Sequence, residues 1–418
     1  MTTASGPRRS LARGSLTVAV GMGLAQMLSY AFNLLLSRSF TPAGYGSIAA
    51  LLGLVLVGSV PSMALQSVAA RQAALEPGRA TDEVALGYGI WVGGGVALLV
   101  AAAAPVIASF LRLPSPTPVF LVAASLAPFA LTSAAQGLLQ GEERFRRLAF
   151  VFVLASALRF LCGGIGVASG FGVTGAIIGT AVAALLAAGI AVRVTVQAVD
   201  AKVLVRPPRG HLADLGHVVL AVGGLLVLAN VDVLLARHYL TAASAGLYAV
   251  GALVARATFW APQFISVSVF SRLTDAEHRR RLLPRALAVV AAISAVATVG
   301  ALVLARRTLT TIFGDRYAAL APTLWWFALM GSVQAIAQLL IASGIASADR
   351  WTPAVVWSGV AGEVGLVATV GHGSILAVVI SATASAAVVV VALGVRAGFV
   401  LRSTSPDALT SETHPLRR

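Results

Sequence analysis

Apolar stretches of ~20 residues or more, the length a helix needs to cross ~30 Å of hydrocarbon, recur along the whole chain. Short polar connections divide them into twelve segments. Six lie at 15–37, 44–70, 84–111, 117–140, 148–168 and 173–196, and six more at 214–236, 244–270, 283–305, 319–343, 351–371 and 374–400. They are too long and too uniformly apolar for barrel strands, and a backbone in lipid must then satisfy its amides as a helix. The first segment is also too long for a signal-peptide core, so it is read as a span. The pattern predicts an all-α integral membrane protein of about 12 transmembrane helices.

The second six segments repeat landmarks of the first six. The stretch AFNLLLSRSFTPAGYGSIAALLG (31–53) is echoed by ANVDVLLARHYLTAASAGLYAVGALVAR (229–256), with Asn33 answering to Asp232, Arg38 to Arg237 and Tyr45 to Tyr248. QGEERF (140–145) corresponds to ASADRW (346–351), and GVTGAIIG from Gly172 to GSILAVVI from Gly373. A shared offset near 200 residues, held in order, points to two halves of like topology. The halves read as pseudo-symmetric six-helix bundles at 15–199 and 214–400. A basic N-terminal segment (1–14), a polar linker (200–213) and a polar tail (401–418) flank them.

Composition agrees: 58% of the 418 residues are hydrophobic and 11% charged, against about 25% charged in a soluble domain. The net charge of +15 is topological here, so nucleic acid is not expected as a partner. Of the 30 Lys and Arg, 22 fall at the termini and in the connections on the same side. Arg38, Arg112, Arg237, Arg306, Arg307 and Arg316 lie on the other side, and Arg159 and Arg256 lie within spans. By the positive-inside rule both termini are expected to be cytoplasmic. The lone Cys162 permits no disulfide within the chain.

An ionisable side chain at mid-membrane costs at least ~2.5 kcal/mol on insertion scales, so it faces a wet cavity or a partner. Arg159, Arg256 and Glu363 lie near the middle of their spans, and Asp232 lies toward the outer end of its own. Arg159 and Glu363 occupy near-equivalent places in the two halves with opposite sign, which suits an inter-bundle contact, though each could equally satisfy a neighbouring helix. Uncharged polar residues are arranged in stripes. Gln26, Tyr30, Asn33 and Ser37 share one helical face, as do Tyr248, Arg256, Trp260 and Gln263. Gln66 adds to Ser59 and Ser62 on the second span, while Ser133, Gln136 and Gln140 on the fourth read as interhelical glue. A face combining aromatic, amide and guanidinium groups suits sugar hydroxyls and phosphate oxygens.

Other signals carry little. GFGVTG from Gly170 fits a dinucleotide fingerprint but sits at a turn between spans. The only lysine, Lys202, follows an alanine, so no P-loop is present. The histidines lack metal spacing, and Glu142 and Glu143 read as solvated loop charges. No cofactor or metal and no catalytic residues are expected.

LLSRSFTPAGYG (35–46), QGEERF, NVDVLLARHYL (230–240) and AGLYAVGALVAR (245–256) together resemble the polysaccharide transporter branch of the multidrug/oligosaccharidyl-lipid/polysaccharide exporter superfamily. The resemblance covers nearly the whole chain. It implies two six-helix bundles around a central cavity and translocation of a lipid-linked oligosaccharide from the cytoplasmic to the outer leaflet by alternating access. It implies a cationic site for the carrier's pyrophosphate, which Arg256 and Arg159 would supply, with Asp232 or Glu363 available for a coupling cation. Membrane lipid, a lipid-linked glycan, and a polysaccharide polymerase or glycosyltransferases are the partners it suggests. A cation-coupled multidrug exporter of the same superfamily, or a non-transporting or enzymatic component of polysaccharide assembly, are the competing readings.

Overall fold

The computed structural model describes residues 6–195, 220, 223–262, 276–346, 349 and 351–403. Among the described residues there are helices and turns but no strand. The expected linker at 200–213, most of the tail at 401–418, and Gln263 lie outside them.

Proline and small polar residues cut several expected spans in two. The segment expected at 44–70 is α2 (Pro42–Gly58) followed by α3 (Val60–Leu75). Pro61, at the start of α3, has no N–H to continue the ladder, and Ser59 bonds back to the Leu56 carbonyl at 2.8 Å. After α1 (Gly6–Ser39), α2 and α3, the segment expected at 84–111 is likewise α4 (Arg79–Ala102) and α5 (Ala104–Phe110), parted just before Pro105. α6 (Thr117–Gly141), α7 (Phe145–Ala168) and α8 (Gly172–Thr195) follow as single helices. The glycine-rich stretch between α7 and α8 is a turn, with φ of +79° at Gly170 and +59° at Gly172, values an L side chain resists.

In the rest of the chain, helix over 223–228 is interrupted at Ala229–Asn230 before α9 (Val231–Tyr239). α10 (Ala242–Trp260), α11 (Ala276–Thr308), α12 (Leu324–Ala346), α13 (Thr352–Thr369) and α14 (Ile375–Ser403) complete it. The short connection at about 306–318 contains one turn of π-helix (Leu309–Phe313) and leads into a 3₁₀ run (Asp315–Thr323). Ten described segments are long and apolar enough to cross a membrane. Of the other two expected spans, 351–371 forms α13 and 214–236 falls partly outside the described residues.

Two compact units result: Met1–Leu226 with Thr241–Gly246, and Val227–Leu240 with Leu247–Arg418. In the first, α6 packs on α3, α4 and α8, and α7 packs on α1 and α8. Ala64, Leu65, Leu86, Ala134, Leu138 and Leu148 belong to its buried core. Lipid offers no hydrophobic drive between helices, so small residues that let backbones touch decide the packing. Gly179 is such a residue: a Cβ there would overlap the Cys162 carbonyl across the α7–α8 seam. In the second unit, α12 packs on α11 and α14, and α13 packs on α14. Gly331 of α12 lies against the Ala255 carbonyl of α10.

Each unit ties the link after its fourth span to the end of its last helix. In the first, Arg144 Nη1 donates to the Thr195 carbonyl (3.2 Å) and Arg147 Nη1 to that of Val194 (3.3 Å). Glu142, expected as a solvated charge, pairs with Arg144 at 3.0 Å. In the second, Arg396 of α14 donates through Nη2 and Nε to both Asp349 oxygens (2.7 and 3.0 Å). The Trp351 ring lies 5.7 Å from its guanidinium carbon.

Two outcomes follow from this packing. Gly179→Leu should lower the thermal unfolding midpoint of the solubilised protein, at a cost of ~1–3 kcal/mol. Gly189→Leu, where a Cβ would meet nothing within 4 Å, should leave it unchanged. The Arg396 fork holds the Asp349 carboxyl below the ordinary carboxylate range. A lowered folded value stabilises above the unfolded value and is lost as pH falls through the folded one. The stability gap between the wild type and Asp349→Asn should therefore be full above about pH 4 and narrow below it.

Candidate functional site

In the second unit the helix break at Asn230 places Asp232 in the first turn of α9. A carboxylate there faces the positive end of the helix dipole. Asp232 is 1% exposed, and its Oδ2 accepts a 2.9 Å hydrogen bond from the hydroxyl of Tyr248 on α10. Tyr248 is itself fully buried, edge-on to Phe327 of α12 with ring centroids 5.0 Å apart. Two turns further along α10, Arg256 is near enough for its positive charge to act on Asp232. Glu363 of α13 is fully buried, and its charge acts on both Asp232 and Tyr248. Two carboxylates, one guanidinium and one phenol thus converge inside a single membrane-spanning unit.

The polar atoms of this group are not all satisfied by one another. Among the described residues, Nε and Nη2 of Arg256, Oδ1 of Asp232 and both carboxylate oxygens of Glu363 are buried and find no hydrogen-bond partner. Buried polar atoms are ordinarily paired, and exceptions mark places where a ligand, ion or water belongs. The unmatched Nε and Nη2 of Arg256 share one edge of its planar fork, a geometry suited to an anionic oxygen pair. Among the described residues no cluster of three or more His, Cys, Asp or Glu is arranged to hold a metal ion.

In the first unit Arg159 of α7 lines a cavity of about 100 Å³ together with Ser125, Thr132, Ser133 and Gln136 of α6 and Thr180 of α8. Its guanidinium carbon also sits 5.4 Å from the centre of the Phe32 ring. The other sequence-derived candidates are dispersed. The Asn33 amide donates to the Ser29 carbonyl of its own helix at 2.9 Å, and Gln26 and Tyr30 are half-buried on α1. Gln66 donates to Gln140 across the α3–α6 contact at 3.5 Å. Trp260 meets Phe259 edge-on (5.4 Å) at the border of an apolar cluster with Leu283 and Leu339. The hydroxyl-lined cavity escapes the sequence reading because only the packing of α8 on α6 brings Thr180 opposite Thr132 and Gln136. Without that pairing, Ser133 and Gln136 resemble ordinary helix glue.

A family model described as "polysaccharide biosynthesis protein" matches residues 35–322. No curated protein matches the sequence. Among solved structures, the chain is similar to an inward-facing multidrug resistance MATE family transporter of the MOP superfamily. The TM-score is 0.72 and the identity 14%, over 93% of this chain and 99% of that one. It is similar to the lipid II flippase MurJ in an inward closed conformation, with TM-score 0.73 and 12% identity over 96% of this chain and 94% of that one. A MOP superfamily transporter from Pyrococcus furiosus matches with TM-score 0.59 and 13% identity, over 96% and 99%. Identities this low speak to the fold alone, a multi-pass helical architecture shared with these structures.

Removing the phenol oxygen tests the second unit's group directly. Tyr248→Phe should cost ~1–3 kcal/mol of stability, because it strips a hydrogen bond from a buried carboxylate. Glu363→Gln, which keeps the buried shape and leaves the Tyr248 bond to Asp232 in place, is the reference for a change in the same group that spares that bond. Thermal unfolding in detergent gives the comparison.

Proposed function

The chain belongs to the polysaccharide biosynthesis protein family, and on that premise we propose that it translocates a lipid-linked oligosaccharide or polysaccharide precursor from the cytoplasmic to the outer leaflet of a bacterial plasma membrane. The observation that carries the reading is Arg256: a guanidinium inside a membrane-spanning unit, with two buried nitrogens from which no atom of the described residues accepts. A phosphate-bearing head group supplies the oxygens such a fork takes. The fold shared with a lipid II flippase supports the same class of cargo. Net transport is by alternating access. An inside-negative potential favours outward movement of an anion by roughly 2.3 kcal/mol per charge per 100 mV.

Asp232 and Glu363 serve as coupling groups in this reading. With both ionised, the two carboxylates outnumber the Arg256 cation by one charge, a deficit that one proton or one monovalent cation would fill. Binding of that cation would alter the field on Arg256 and so link ion occupancy to head-group affinity. Both termini lie on the cytoplasmic side, and a polymerase or glycosyltransferases act upstream and downstream of the carried glycan.

Reconstitution into vesicles with a labelled lipid-linked glycan tests the proposal. The wild type should exchange the label between leaflets well above protein-free vesicles, and Arg256→Ala should slow exchange by about tenfold or more. Exchange by the wild type at the protein-free rate sinks the reading. Efflux of cationic dyes in place of glycan exchange would instead favour the multidrug exporter. Asp232→Asn and Glu363→Gln should each blunt the dependence on Na⁺ or pH; unaltered profiles in both variants would remove them from coupling.

A further inference from the structure

The corner between α3 and α4 holds another cavity of the first unit, of about 410 Å³. One apolar span ends at Leu75 and the next begins at Ala80, so the corner lies where the chain leaves and re-enters the hydrocarbon layer. Its volume falls within the ~300–1,000 Å³ usual for small-molecule sites. Val68, Arg71, Gln72 and Leu75 lie at helical spacing, so one face of α3 makes one wall. Val84 of α4 belongs to the other wall, and Glu76 stands at the corner.

The backbone of the corner is already satisfied. The Glu76 N–H donates to the Gln72 carbonyl (2.8 Å), and the Glu76 carbonyl accepts from the Thr81 hydroxyl (2.7 Å). Side chains are therefore what a guest meets. Arg71 and Glu76 are both exposed at the rim. Among the described residues neither charged group has a hydrogen-bond or ion-pair partner, and they do not pair with each other. Beside them Leu75 is 71% exposed and Val84 41% exposed, an apolar surface open at the membrane border.

A guest has to supply an anion for the guanidinium, a cation for the carboxylate, and hydrocarbon for Leu75 and Val84. Free phosphate or an anionic lipid answers Arg71 but sets its charge against Glu76. A soluble zwitterion answers both charges and leaves the apolar wall in water. A choline lipid has no N–H to give the carboxylate. An ethanolamine lipid meets every demand. Its phosphate oxygens accept from Arg71 and the Gln72 amide, its ammonium donates to Glu76, and its chains cover Leu75 and Val84. An ethylene bridge separates the two charges of that head group, so each reaches its own side chain.

We propose that this corner binds one phosphoethanolamine-headed phospholipid, with its phosphate on Arg71 and Gln72 and its ammonium on Glu76. The occupant is a resident membrane lipid and not the transported glycan, so the site does not rest on the transport reading.

Native mass spectrometry of the full-length protein, titrated in detergent with dioleoyl phosphatidylethanolamine, tests this. The wild type should bind the lipid saturably, at about one per chain. It should prefer it to phosphatidylglycerol and phosphatidylcholine with the same chains, and soluble phosphoethanolamine at equal concentration should not displace it. Arg71→Gln should weaken binding about threefold or more. Glu76→Gln should weaken it by a similar factor and turn the preference toward phosphatidylglycerol, because no carboxylate then opposes the lipid's charge. The double exchange Arg71→Glu with Glu76→Arg should restore part of the binding, since a zwitterion can lie either way round. A merely structural role for the two residues predicts no inversion of lipid preference. If Arg71→Gln does not fold, the preference of Glu76→Gln decides. Absence of saturable binding by the wild type overturns the proposal. So does equal binding of phosphatidylglycerol, displacement by soluble phosphoethanolamine, or an unchanged order of lipids in Glu76→Gln. No glycan is present in the assay, so loss of this site and failure of transport are separate results.

Discussion

A charge inside a bilayer has to be met inside the protein, and the arrangement of this chain's helices answers to that requirement. Arg159, Asp232, Arg256 and Glu363 fall within its apolar segments, and each unit handles its own. The second unit gathers Asp232, Arg256 and Glu363 around the Tyr248 phenol. The first places Arg159 at a cavity walled by hydroxyls and an amide. Such groups are expensive for stability alone, since well-packed apolar residues would do as well or better. Their retention makes sense where the field they create acts on something that enters and leaves.

The second demand of lipid, that backbone amides be paired, shapes how the helices are interrupted. Breaks occur where sequence lowers their cost: before Pro61, before Pro105, and at Asn230. The break at Asn230 does more than bend the chain. It starts a fresh helix whose first turn carries Asp232, so the carboxylate gains the favourable end of a dipole that a continuous helix would deny it. Irregular backbone at membrane depth and the principal charge cluster coincide, as expected when non-helical backbone is tolerated only where protein or a wet cavity covers it.

Much of the fold is legible in the sequence because span length and apolarity are long-range, redundant signals. Single helices such as α6, α7 and α8 begin and end within a few residues of the apolar boundaries. The splits at Ser59 and Ala103 are not legible from hydropathy, which runs unbroken across both; the prolines are the local cue. Periodicity places Tyr248 and Arg256 on one face of α10, and charge scarcity singles out Asp232 and Glu363. That α13 brings Glu363 to those residues is a fact of tertiary packing that no single helix encodes. The same limit applies to Asp349, whose partner Arg396 is 47 residues away in another helix.

The α7–α8 seam has an experimental consequence. The backbone of Cys162 meets Gly179 there, and Cys162 is the chain's sole thiol, half-buried and one turn beyond Arg159 on the same helix. Nature has thus installed a unique attachment point for a spectroscopic label where the first bundle is most tightly joined. A nitroxide or fluorine tag at this sulfur reports local helix spacing in the native sequence, with no cysteine-free background to engineer first.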